Sequence, residues 1–360
     1  MALKLIVACG GTGGHSFPGL AVAAKLAARG HDVTVWMSGR DVESKVLKGW
    51  EGPVFATGAK QLSMRNAFSN LCAYMRCRRE MRKTKPDALL AMGSYSSLPP
   101  VIAASRCGVP VILHEANTVP GRAIDFLSHF AKAVAISFER TADQFPGKET
   151  VLTGLPVRTD IAGQQPFEEA PKGAFCVFVT GGSQGAHRVN EIAVKALTFL
   201  KRDLDARGRE LYVIHQTGVK DAERVAKAYV DAGVQARVNA FEHEMGRALA
   251  TADIVIARAG ASTCFELALT GKPAFLIPLP SAMRNHQHYN AAAFAAKQAA
   301  SEGIQDKLSP RALADWLMRK VENPDSLVRM ADGMRSLARP DAADRVADLV
   351  ERISNGGKNQ

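Results

Sequence analysis

The sequence has few of the features that would place a protein outside the cytosol or inside a membrane. Its six cysteines show no C-x-x-C spacing, and two of them fall in expected core strands, so neither a zinc site nor a disulfide framework is indicated. No apolar run approaches the roughly 20 residues needed to span a bilayer, and no signal-peptide pattern precedes the first expected strand. We therefore expect a protein of the reducing cytosol.

Acidic and aromatic residues are also scarce. The chain has 35 Asp and Glu against 46 Lys and Arg, which gives a formal charge of +11, and only 6% of its residues are aromatic. A basic excess indicates an anionic partner, such as a nucleic acid, a phosphate-rich ligand or an acidic membrane surface. Because the sequence contains no aromatic stacking platform and no known nucleic-acid module, we expect no nucleic-acid partner.

Two similar glycine-rich loops lie about half a chain apart. Residues 10–15 (Gly-Gly-Thr-Gly-Gly-His) follow the apolar run 5–9, and residues 181–187 (Gly-Gly-Ser-Gln-Gly-Ala-His) follow the apolar run 175–179. Each pattern predicts a buried strand, a glycine turn and an amphipathic helix, which is how a doubly wound α/β domain begins. Glycines let the backbone approach an anionic group, and the helix N-terminus favours negative charge. We therefore expect a diphosphate-bearing ligand between two domains.

Strand and helix patterns alternate along both halves of the chain, which predicts two parallel sheets. A length of 360 residues fits two domains better than one. The polar stretch 163–173 separates the halves, so we predict an N-terminal domain at 1–160 and a C-terminal domain at 161–340. The expected fold class is α/β, with two Rossmann-like domains facing a cleft. The sequence leaves open whether the last helix, 341–356, crosses back onto the first domain.

Neither glycine loop fits the commonest nucleotide motifs. In the first loop Ser16 stands where dinucleotide-binding proteins have Gly or Ala, and the second expected strand ends without the ribose-binding Asp or Glu. Both loops lack the Gly-Lys-Ser/Thr ending of a P-loop. These observations weaken the NAD or FAD interpretation and exclude a P-loop.

The segment 257–266 lies between an expected strand and an expected helix. Thr263 and Glu266 have the spacing of a capping box, in which Glu266 would only cap the helix. Alternatively, the Glu266 carboxylate accepts hydrogen bonds from a ribose diol while the helix N-terminus faces a diphosphate. On spacing alone, the capping box is the favoured interpretation.

Five segments of the chain resemble one known family in both order and spacing. They are residues 10–21, 114–117, 156–158, 181–186 and 260–266. The whole chain resembles the MurG family, whose members transfer N-acetylglucosamine from UDP-N-acetylglucosamine to lipid I, with inversion, to form lipid II. The resemblance implies the B-type glycosyltransferase fold. It places the nucleotide sugar on the C-terminal domain and the lipid acceptor on the N-terminal domain.

The resemblance also implies roles for individual residues. In the first domain Thr12, Gly13 and Gly14 would lie near the donor sugar and the acceptor diphosphate, with Asn117 beside the donor sugar. Arg158 and Ser183 would contact the nucleotide diphosphate. In the second domain Phe241 and Glu242 would contact uracil. Residues 261–263 (Ala261, Ser262, Thr263) and Glu266 would contact the nucleotide and its ribose. Gln287, with its neighbour His286, would contact the sugar hydroxyls. The ribose role given to Glu266 can coexist with a cap.

An inverting transfer needs a base for the acceptor hydroxyl and stabilisation of the departing diphosphate. His15 is the candidate base, because an imidazole with a pKa of about 6.5 is mostly neutral in the cytosol. Its alternative role is to bond the loop backbone, and Glu115 is the alternative base. Helix N-termini and Arg158 would face the leaving group, so no cofactor or metal is required. The D-x-D sequence at 203–205 lies in a helix pattern and is interpreted as a solvated face.

The segment 60–85 contains eight Lys or Arg residues and one acid, Glu80. Five residues recur at helical spacing within it: Met64, Phe68, Leu71, Cys72 and Met75. Taken alone, this pattern favours an ordinary core-facing helix with a solvated basic end. A lipid-linked acceptor favours a second interpretation, docking of this face to the anionic cytoplasmic surface of the bacterial plasma membrane.

Three departures from the family pattern concern the acceptor. The loop 93–99 reads Gly-Ser-Tyr-Ser-Ser-Leu-Pro instead of the usual Gly-Gly-Tyr-x-Ser-Gly-Pro, Ala116 replaces Gln, and Leu155 replaces Asn. They bear on acceptor details, such as the tolerated stem peptide, more than on the donor.

Three other functions stay open on the sequence. A UDP-N-acetylglucosamine 2-epimerase shares the twin-domain fold but acts on the free sugar nucleotide. Another glycolipid-forming glycosyltransferase would use a diacylglycerol acceptor. A binding or scaffold protein would have lost the chemistry, although His15, Asn117 and Glu266 are all present.

Overall fold

The computed structural model describes residues 2–11, 13–39, 47 and 49–356. The chain divides into two compact units. The first comprises Met1–Arg158 together with Arg339–Gln360, and the second comprises Thr159–Ala338. Among the described residues, no helix has the length and apolarity that crossing a bilayer requires.

The first unit is built on a parallel sheet in which seven strands are described. Its strands are β1 (Lys4–Ala8), β2 (Asp32–Met37), β3 (Val54–Ala56), β4 (Ala88–Ala91), β5 (Val111–Glu115), β6 (Ala133–Ile136) and β7 (Glu149–Leu152). The spatial order is β3-β2-β1-β4-β5-β6-β7, so the order reverses between β1 and β4. The central strands β1, β4, β5 and β6 are mostly buried aliphatic residues, as expected for strands covered on both faces, and β5 ends with the buried pair His114 and Glu115.

Helices cover both faces of this sheet. The first four are α1 (Gly13–Ala28), α2 (Ala67–Thr84), α3 (Leu98–Arg106) and α4 (Arg122–Leu127). Val22 and Leu26 of α1 pack on one face, while Cys77 and Met81 of α2 pack on the other, together with buried residues of α3 and α4. Both cores consist mainly of buried aliphatic side chains.

The second unit repeats the same plan. Its parallel strands are β8 (Phe175–Thr180), β9 (Leu211–Gln216), β10 (Gln235–Asn239), β11 (Ile254–Ala257), β12 (Ala274–Leu276) and β13 (Ala300–Glu302). Their order is β10-β9-β8-β11-β12-β13, with the reversal between β8 and β11. The helices are α5 (His187–Asp205), α6 (Ala222–Asp231), α7 (Met245–Thr251), α8 (Ala261–Thr270), α9 (His286–Ala296), α10 (Pro310–Glu322) and α11 (Pro324–Leu337).

The last helix, α12 (Ala342–Gly356), packs onto the first unit. Its residues Val346 and Val350 join the core beside α1. Arg29, which follows α1, forms ion pairs with three carboxylates of α12, at 3.1 Å to Asp344, 2.7 Å to Asp348 and 3.2 Å to Glu351. The apolar face and these ion pairs together fix the helix on the first sheet.

Candidate active site

The first unit brings the loops after β1, β4 and β5 to one edge of its sheet. Strands β1, β4 and β5 are neighbours, and ligands of open α/β sheets bind beyond the carboxyl ends of strands where the order reverses. Gly13, Gly14 and His15 are the first three residues of α1. Thr12 lies outside the described residues. The helix N-terminus is therefore directed to the same edge as the loops after β4 and β5.

His15 is partly buried and lies against the backbone of Gly11 and Gly93. A Cβ on Gly93 would lie 3.3 Å from its Cδ2 atom, and a Cβ on Gly11 would lie 3.8 Å from its Nδ1 atom. Burial lowers the pKa of His15 to about 4. The imidazole is therefore neutral at neutral pH, which is the form that can accept a proton.

The carboxylate of Glu115 accepts hydrogen bonds from two residues of the loop after β5. Its Oε1 atom accepts hydrogen bonds from the backbone N–H and the side-chain amide of Asn117, at 2.8 and 3.1 Å, and Oε2 accepts one from the Gly121 N–H at 3.0 Å. Burial raises the pKa of Glu115, and these hydrogen bonds oppose the rise. Because both oxygens orient Asn117 and its loop, the geometry favours His15 over Glu115 as the base.

Sequence reasoning assigned no role to His114, which is buried at the same edge. Its Nε2 atom lies 3.1 Å from the Gly154 carbonyl, and its Nδ1 atom is buried without a hydrogen-bond partner. Burial lowers the pKa of His114 to about 4, and the neighbouring His15 contributes to the shift. The two histidines therefore lie close enough to interact, and both are neutral at neutral pH.

The loop after β4 is fastened to the first glycine loop. The Ser96 hydroxyl donates to the Gly10 carbonyl at 2.5 Å, and the Ser97 hydroxyl donates to the Gly93 carbonyl. Ser94 has φ 68° and ψ 162°, a backbone region that is essentially restricted to glycine. Its Oγ atom would lie 2.7 Å from a Cβ on Gly11. The departure from the usual Gly-Gly sequence thus places a strained serine against the first glycine loop.

We expect Ser94→Gly to raise the free energy of unfolding by about 1 kcal/mol. Strain in this region costs about 1–3 kcal/mol, and the greater freedom of glycine in the unfolded chain offsets about 0.5–1 kcal/mol of the relief. Urea unfolding measures the change. Ser105→Gly, at an exposed position of α3, is the matched control and should destabilise the protein. Equal destabilisation by both substitutions would show that Ser94 is not strained.

The second glycine loop packs backbone to backbone against the loop after β9. The Gly185 N–H donates to the Gly182 carbonyl at 2.8 Å, which forms a turn with Ser183 exposed at its tip. Gly185 has φ 72°, and a Cβ there would overlap the carbonyl oxygen of Thr217. Only glycine fits this position, so the close approach of the two loops explains the motif.

The strand order reverses between the neighbouring strands β8 and β11. The glycine loop follows β8 and helix α8 follows β11, so the N-terminus of α8 lies next to the glycine loop. Helix α8 begins at Ala261 with Gly260 as its N-cap, and the first intrahelical bond runs from the Cys264 N–H to the Gly260 carbonyl at 3.0 Å. The N–H groups of residues 261–263 therefore precede the helical ladder, where a helix N-terminus attracts anions.

The capping-box interpretation of Thr263 and Glu266 is wrong. Thr263 is the third residue of α8, and the N-cap is Gly260, which makes no side-chain cap hydrogen bond. Glu266 is the sixth residue, one and a half turns into the helix, and is partly exposed. A ribose contact therefore stays as the proposed role of its carboxylate.

The segment after β10 presents an aromatic ring beside a buried carboxylate. Phe241 is 47% exposed, and its ring meets His243 edge-on. The Glu242 side chain is buried, and it accepts hydrogen bonds from the Asn239 amide at 2.8 Å and from the Glu244 N–H at 2.9 Å. These bonds fix the backbone of Glu242, the part predicted to contact uracil.

Two of the predicted sugar contacts begin α9. The Gln287 Oε1 atom accepts a hydrogen bond from the Leu279 N–H at 3.0 Å, and His286 Nδ1 lies 2.9 Å from the Met283 carbonyl. Arg284 and Asn285, just before the helix, have φ values of 52° and 56°. A strained loop of this kind is typical of ligand-binding sites.

Arg158 lies beside α1, and the D-x-D carboxylates lie at the C-terminal end of α5. Arg158, the last residue of the first unit, is exposed, and its guanidinium lies 5.6 Å from the Phe17 ring centroid. At the end of α5, Asp203 pairs with Arg311 at 3.1 Å and Asp205 pairs with Lys201 at 2.5 Å. These carboxylates are engaged in ordinary ion pairs of a solvated helix end.

Comparisons with known proteins agree with this architecture. The Glycosyltransferase family 28 N-terminal domain matches residues 5–136, and the Glycosyltransferase family 28 C-terminal domain matches residues 176–346. A Geotalea uraniireducens protein is 36% identical, in an alignment that covers 97% of this chain and 98% of the relative. It is named UDP-N-acetylglucosamine--N-acetylmuramyl-(pentapeptide) pyrophosphoryl-undecaprenol N-acetylglucosamine transferase.

Solved structures confirm the predicted two-domain Rossmann-like fold. The crystal structure of Acinetobacter baumannii MurG is 32% identical, with a TM-score of 0.79 over 98% of this chain and all of that one. A UDP-GlcNAc 2-epimerase from Neisseria meningitidis has a TM-score of 0.73 at only 12% identity, covering 97% of this chain and 100% of that one, and so shares the fold alone. The chain therefore belongs to glycosyltransferase family 28 and, within it, to the MurG family.

Proposed function

We propose that the protein transfers N-acetylglucosamine from UDP-N-acetylglucosamine to the C4 hydroxyl of N-acetylmuramoyl-pentapeptide diphosphoundecaprenol (lipid I), forming lipid II. The observation that carries the proposal is the near-full-length match at 36% identity to a protein named for this transfer. The geometry supports it, because the second unit aims a glycine loop and the N-terminus of α8 at one anion-binding edge.

The proposed reaction is a single displacement at the anomeric carbon. His15 accepts the proton of the acceptor C4 hydroxyl while that oxygen bonds to the anomeric carbon. The bond between this carbon and the UDP diphosphate oxygen breaks, and the configuration inverts. UDP leaves with the electron pair, and its negative charge faces the N-terminus of α8 and the guanidinium of Arg158. Asn117, held by Glu115, contacts the donor sugar.

The donor contacts in this proposal lie mainly on the second unit. Ser183 at the tip of the glycine loop and residues 261–263 of α8 bind the diphosphate, and Glu266 binds the ribose hydroxyls. The backbone of Glu242, beside Phe241, hydrogen-bonds to the edge of the uracil. Gln287, with His286, contacts the sugar hydroxyls. An unmet buried polar group costs about 1–3 kcal/mol, so such paired contacts select the sugar.

The deciding experiment measures UDP release from UDP-N-acetylglucosamine, with and without a soluble lipid I analogue. Acceptor-dependent release with a disaccharide product is the expected result. Conversion of the donor alone would assign the protein to the epimerases instead. A diacylglycerol acceptor tests the other glycolipid enzymes, and absence of any turnover would leave a binding or scaffold role.

We also propose that α2 docks the protein to the anionic cytoplasmic face of the bacterial plasma membrane. The core-facing interpretation of the apolar stripe is wrong, because Met64, just before α2, and Phe68, Leu71 and Met75 of α2 are 95, 75, 56 and 52% exposed. The residues that α2 turns to the core are Ala73, Cys77 and Met81. An exposed apolar stripe bordered by arginines fits a surface that inserts into an anionic interface.

Replacing Arg76, Arg79 and Arg82 by Ser should weaken binding to anionic phospholipid vesicles about 100-fold or more at low salt. Each basic residue near such a surface contributes about 1 kcal/mol, and the effect should shrink as salt rises. Vesicle co-sedimentation measures it. The matched control removes three exposed charges from the second unit, with Lys195, Arg319 and Arg329 changed to Ser. Equal losses in both variants would contradict a docking face on α2.

A further inference from the structure

Gln216 joins two loops of the second unit. It is the last residue of β9, which lies between β8 and β10, and its side chain is 1% exposed. Its amide nitrogen donates to the Gly182 carbonyl of the glycine loop at 2.8 Å. Its amide oxygen accepts from the Glu242 N–H, in the segment after β10, at 3.4 Å. One buried amide therefore connects two loops that are assigned different parts of the nucleotide.

We propose that Gln216 is a positioning residue that couples the diphosphate loop to the uracil-reading segment, so that the base and the diphosphate bind cooperatively. The inference rests on the proposed function, because it assumes that the second unit binds the UDP-sugar. Gln216 does not contact the substrate in this proposal. It acts through Gly182 on one side and Glu242 on the other.

Only one orientation of the amide satisfies both neighbours. The NH2 group must face the Gly182 carbonyl, and the oxygen must face the Glu242 N–H. The reversed amide would place two acceptors together on one side and two donors together on the other. A side chain without the amide oxygen would take from the buried Glu242 N–H its bond to Gln216, and an unpaired buried group costs about 1–3 kcal/mol. A side chain without the NH2 group would leave the Gly182 carbonyl with the Gly185 N–H as its remaining donor. The position therefore requires a glutamine-sized amide.

The two contacts differ in strength. The 2.8 Å bond to Gly182 is a good hydrogen bond, whereas 3.4 Å is longer than the usual range of about 2.7–3.2 Å. The glycine loop is thus the firmly held end, and the uracil segment is the looser end. In the proposal, uracil bound at the Glu242 backbone and the diphosphate bound at the glycine loop act on each other through this one amide.

A buried polar network behind Gln216 keeps its strand fixed. The Asn190 amide nitrogen donates to the Thr217 carbonyl at 2.9 Å, and the Asn190 oxygen lies 3.1 Å from Nε2 of His215. His215 Nδ1 in turn lies 2.9 Å from the Tyr229 hydroxyl. Because the Thr217 carbonyl also packs closely against Gly185, Thr217 has little freedom to move. The backbone that carries the Gln216 side chain is therefore held in place on both sides.

Gln216→Met tests the coupling, since it keeps the length of the side chain and removes both hydrogen bonds. Isothermal titration with UDP and with ADP should show that UDP binds about tenfold more weakly, while ADP binding changes less than threefold, so the preference for uracil falls. The KM for UDP-N-acetylglucosamine should rise about tenfold, with kcat at saturating donor within about twofold of wild type. Tenfold corresponds to about 1.4 kcal/mol, the size expected for the lost bonds.

Two further variants keep the test decisive. Gln216→Asn retains the amide but is one methylene too short to reach both loops, so it should behave like Gln216→Met even where the methionine variant folds poorly. Gln235→Met, at the exposed first residue of β10, is the control and should match wild type.

The outcomes separate the inference from the proposed function. If the wild-type protein does not bind UDP, the proposed function fails. If wild type prefers UDP and the folded Gln216 variants keep both its affinity and its preference, the coupling role is refuted. It is also refuted if the variants weaken UDP and ADP equally and unfold at lower temperature, because this is the result of a structural role alone.

Discussion

His15→Ala should lower kcat by about 10²–10⁴-fold while donor affinity stays within about twofold of wild type. General base catalysis contributes about this much, and His15 is the neutral imidazole at the N-terminus of α1. Turnover with a lipid I analogue and calorimetric titration with UDP-N-acetylglucosamine measure the two quantities separately.

The pH profile provides an independent test of the same role. Burial lowers the pKa of His15 to about 4, so the ring binds a proton only as the pH falls through about 4. At subsaturating substrate, kcat/KM should therefore stay level from neutral pH down to about pH 5.5 and fall below it. A solvent-exposed histidine would lose activity near pH 6.5 instead. The same burial makes His15 a weaker base, so the low pKa reduces the driving force for proton transfer.

Two results would contradict the role of His15. Near-normal turnover of His15→Ala would remove it as the base, and so would a kcat/KM profile that falls near pH 6.5 in wild type. His129→Ala, at an exposed histidine of the first unit, is the control and should leave both kcat and the profile unchanged.

Glu266→Ala should raise the Kd for UDP-N-acetylglucosamine by about 10- to 100-fold with little change in kcat. Hydrogen bonds to a charged group contribute about 1.5–3 kcal/mol, and tenfold in affinity is about 1.4 kcal/mol. Because Gly260 and not Thr263 caps α8, the substitution should cost little stability. Titration calorimetry measures the affinity, and thermal unfolding measures the stability.

The Glu266 prediction can fail in two distinguishable ways. Unchanged donor affinity in a folded variant would exclude the ribose contact. A large loss of thermal stability together with the loss of affinity would show that Glu266 supports the helix. Glu322→Ala, at the exposed end of α10, removes a carboxylate of the same unit and should change neither quantity.

The departures in the loop after β4 have a structural consequence. Ser94 adopts a backbone conformation reserved for glycine and contacts the first glycine loop beside His15. The strain there is consistent with a loop that is held in place for its site, since Ser96 and Ser97 bond it to Gly10 and Gly93. The sequence alone showed the replacement but not the conformation that it imposes.

The sequence misassigned two features because it shows periodicity but not surroundings. Thr263 and Glu266 have the spacing of a capping box, yet the helix begins at Ala261, soon after β11 ends, and its N-cap is Gly260, which adopts an extended backbone three residues before Thr263. Phe68 and its neighbours have the spacing of a core-facing stripe, yet α2 turns Cys77 and Met81 to the sheet instead. In both cases the neighbouring elements decided the outcome.

The sequence by itself determined the two Rossmann-like units, both glycine loops and the family. Buried strands, glycine turns and helix patterns are local, so they can be read along the chain. Tertiary structure alone decided the return of α12 to the first unit, the burial that lowers the pKa of His15, and the bridge made by Gln216. The partners of Gln216 lie 34 and 26 residues away in the chain. Only the strand order β10-β9-β8 brings them within reach of one side chain, because parallel strands place their carboxyl ends at a common edge.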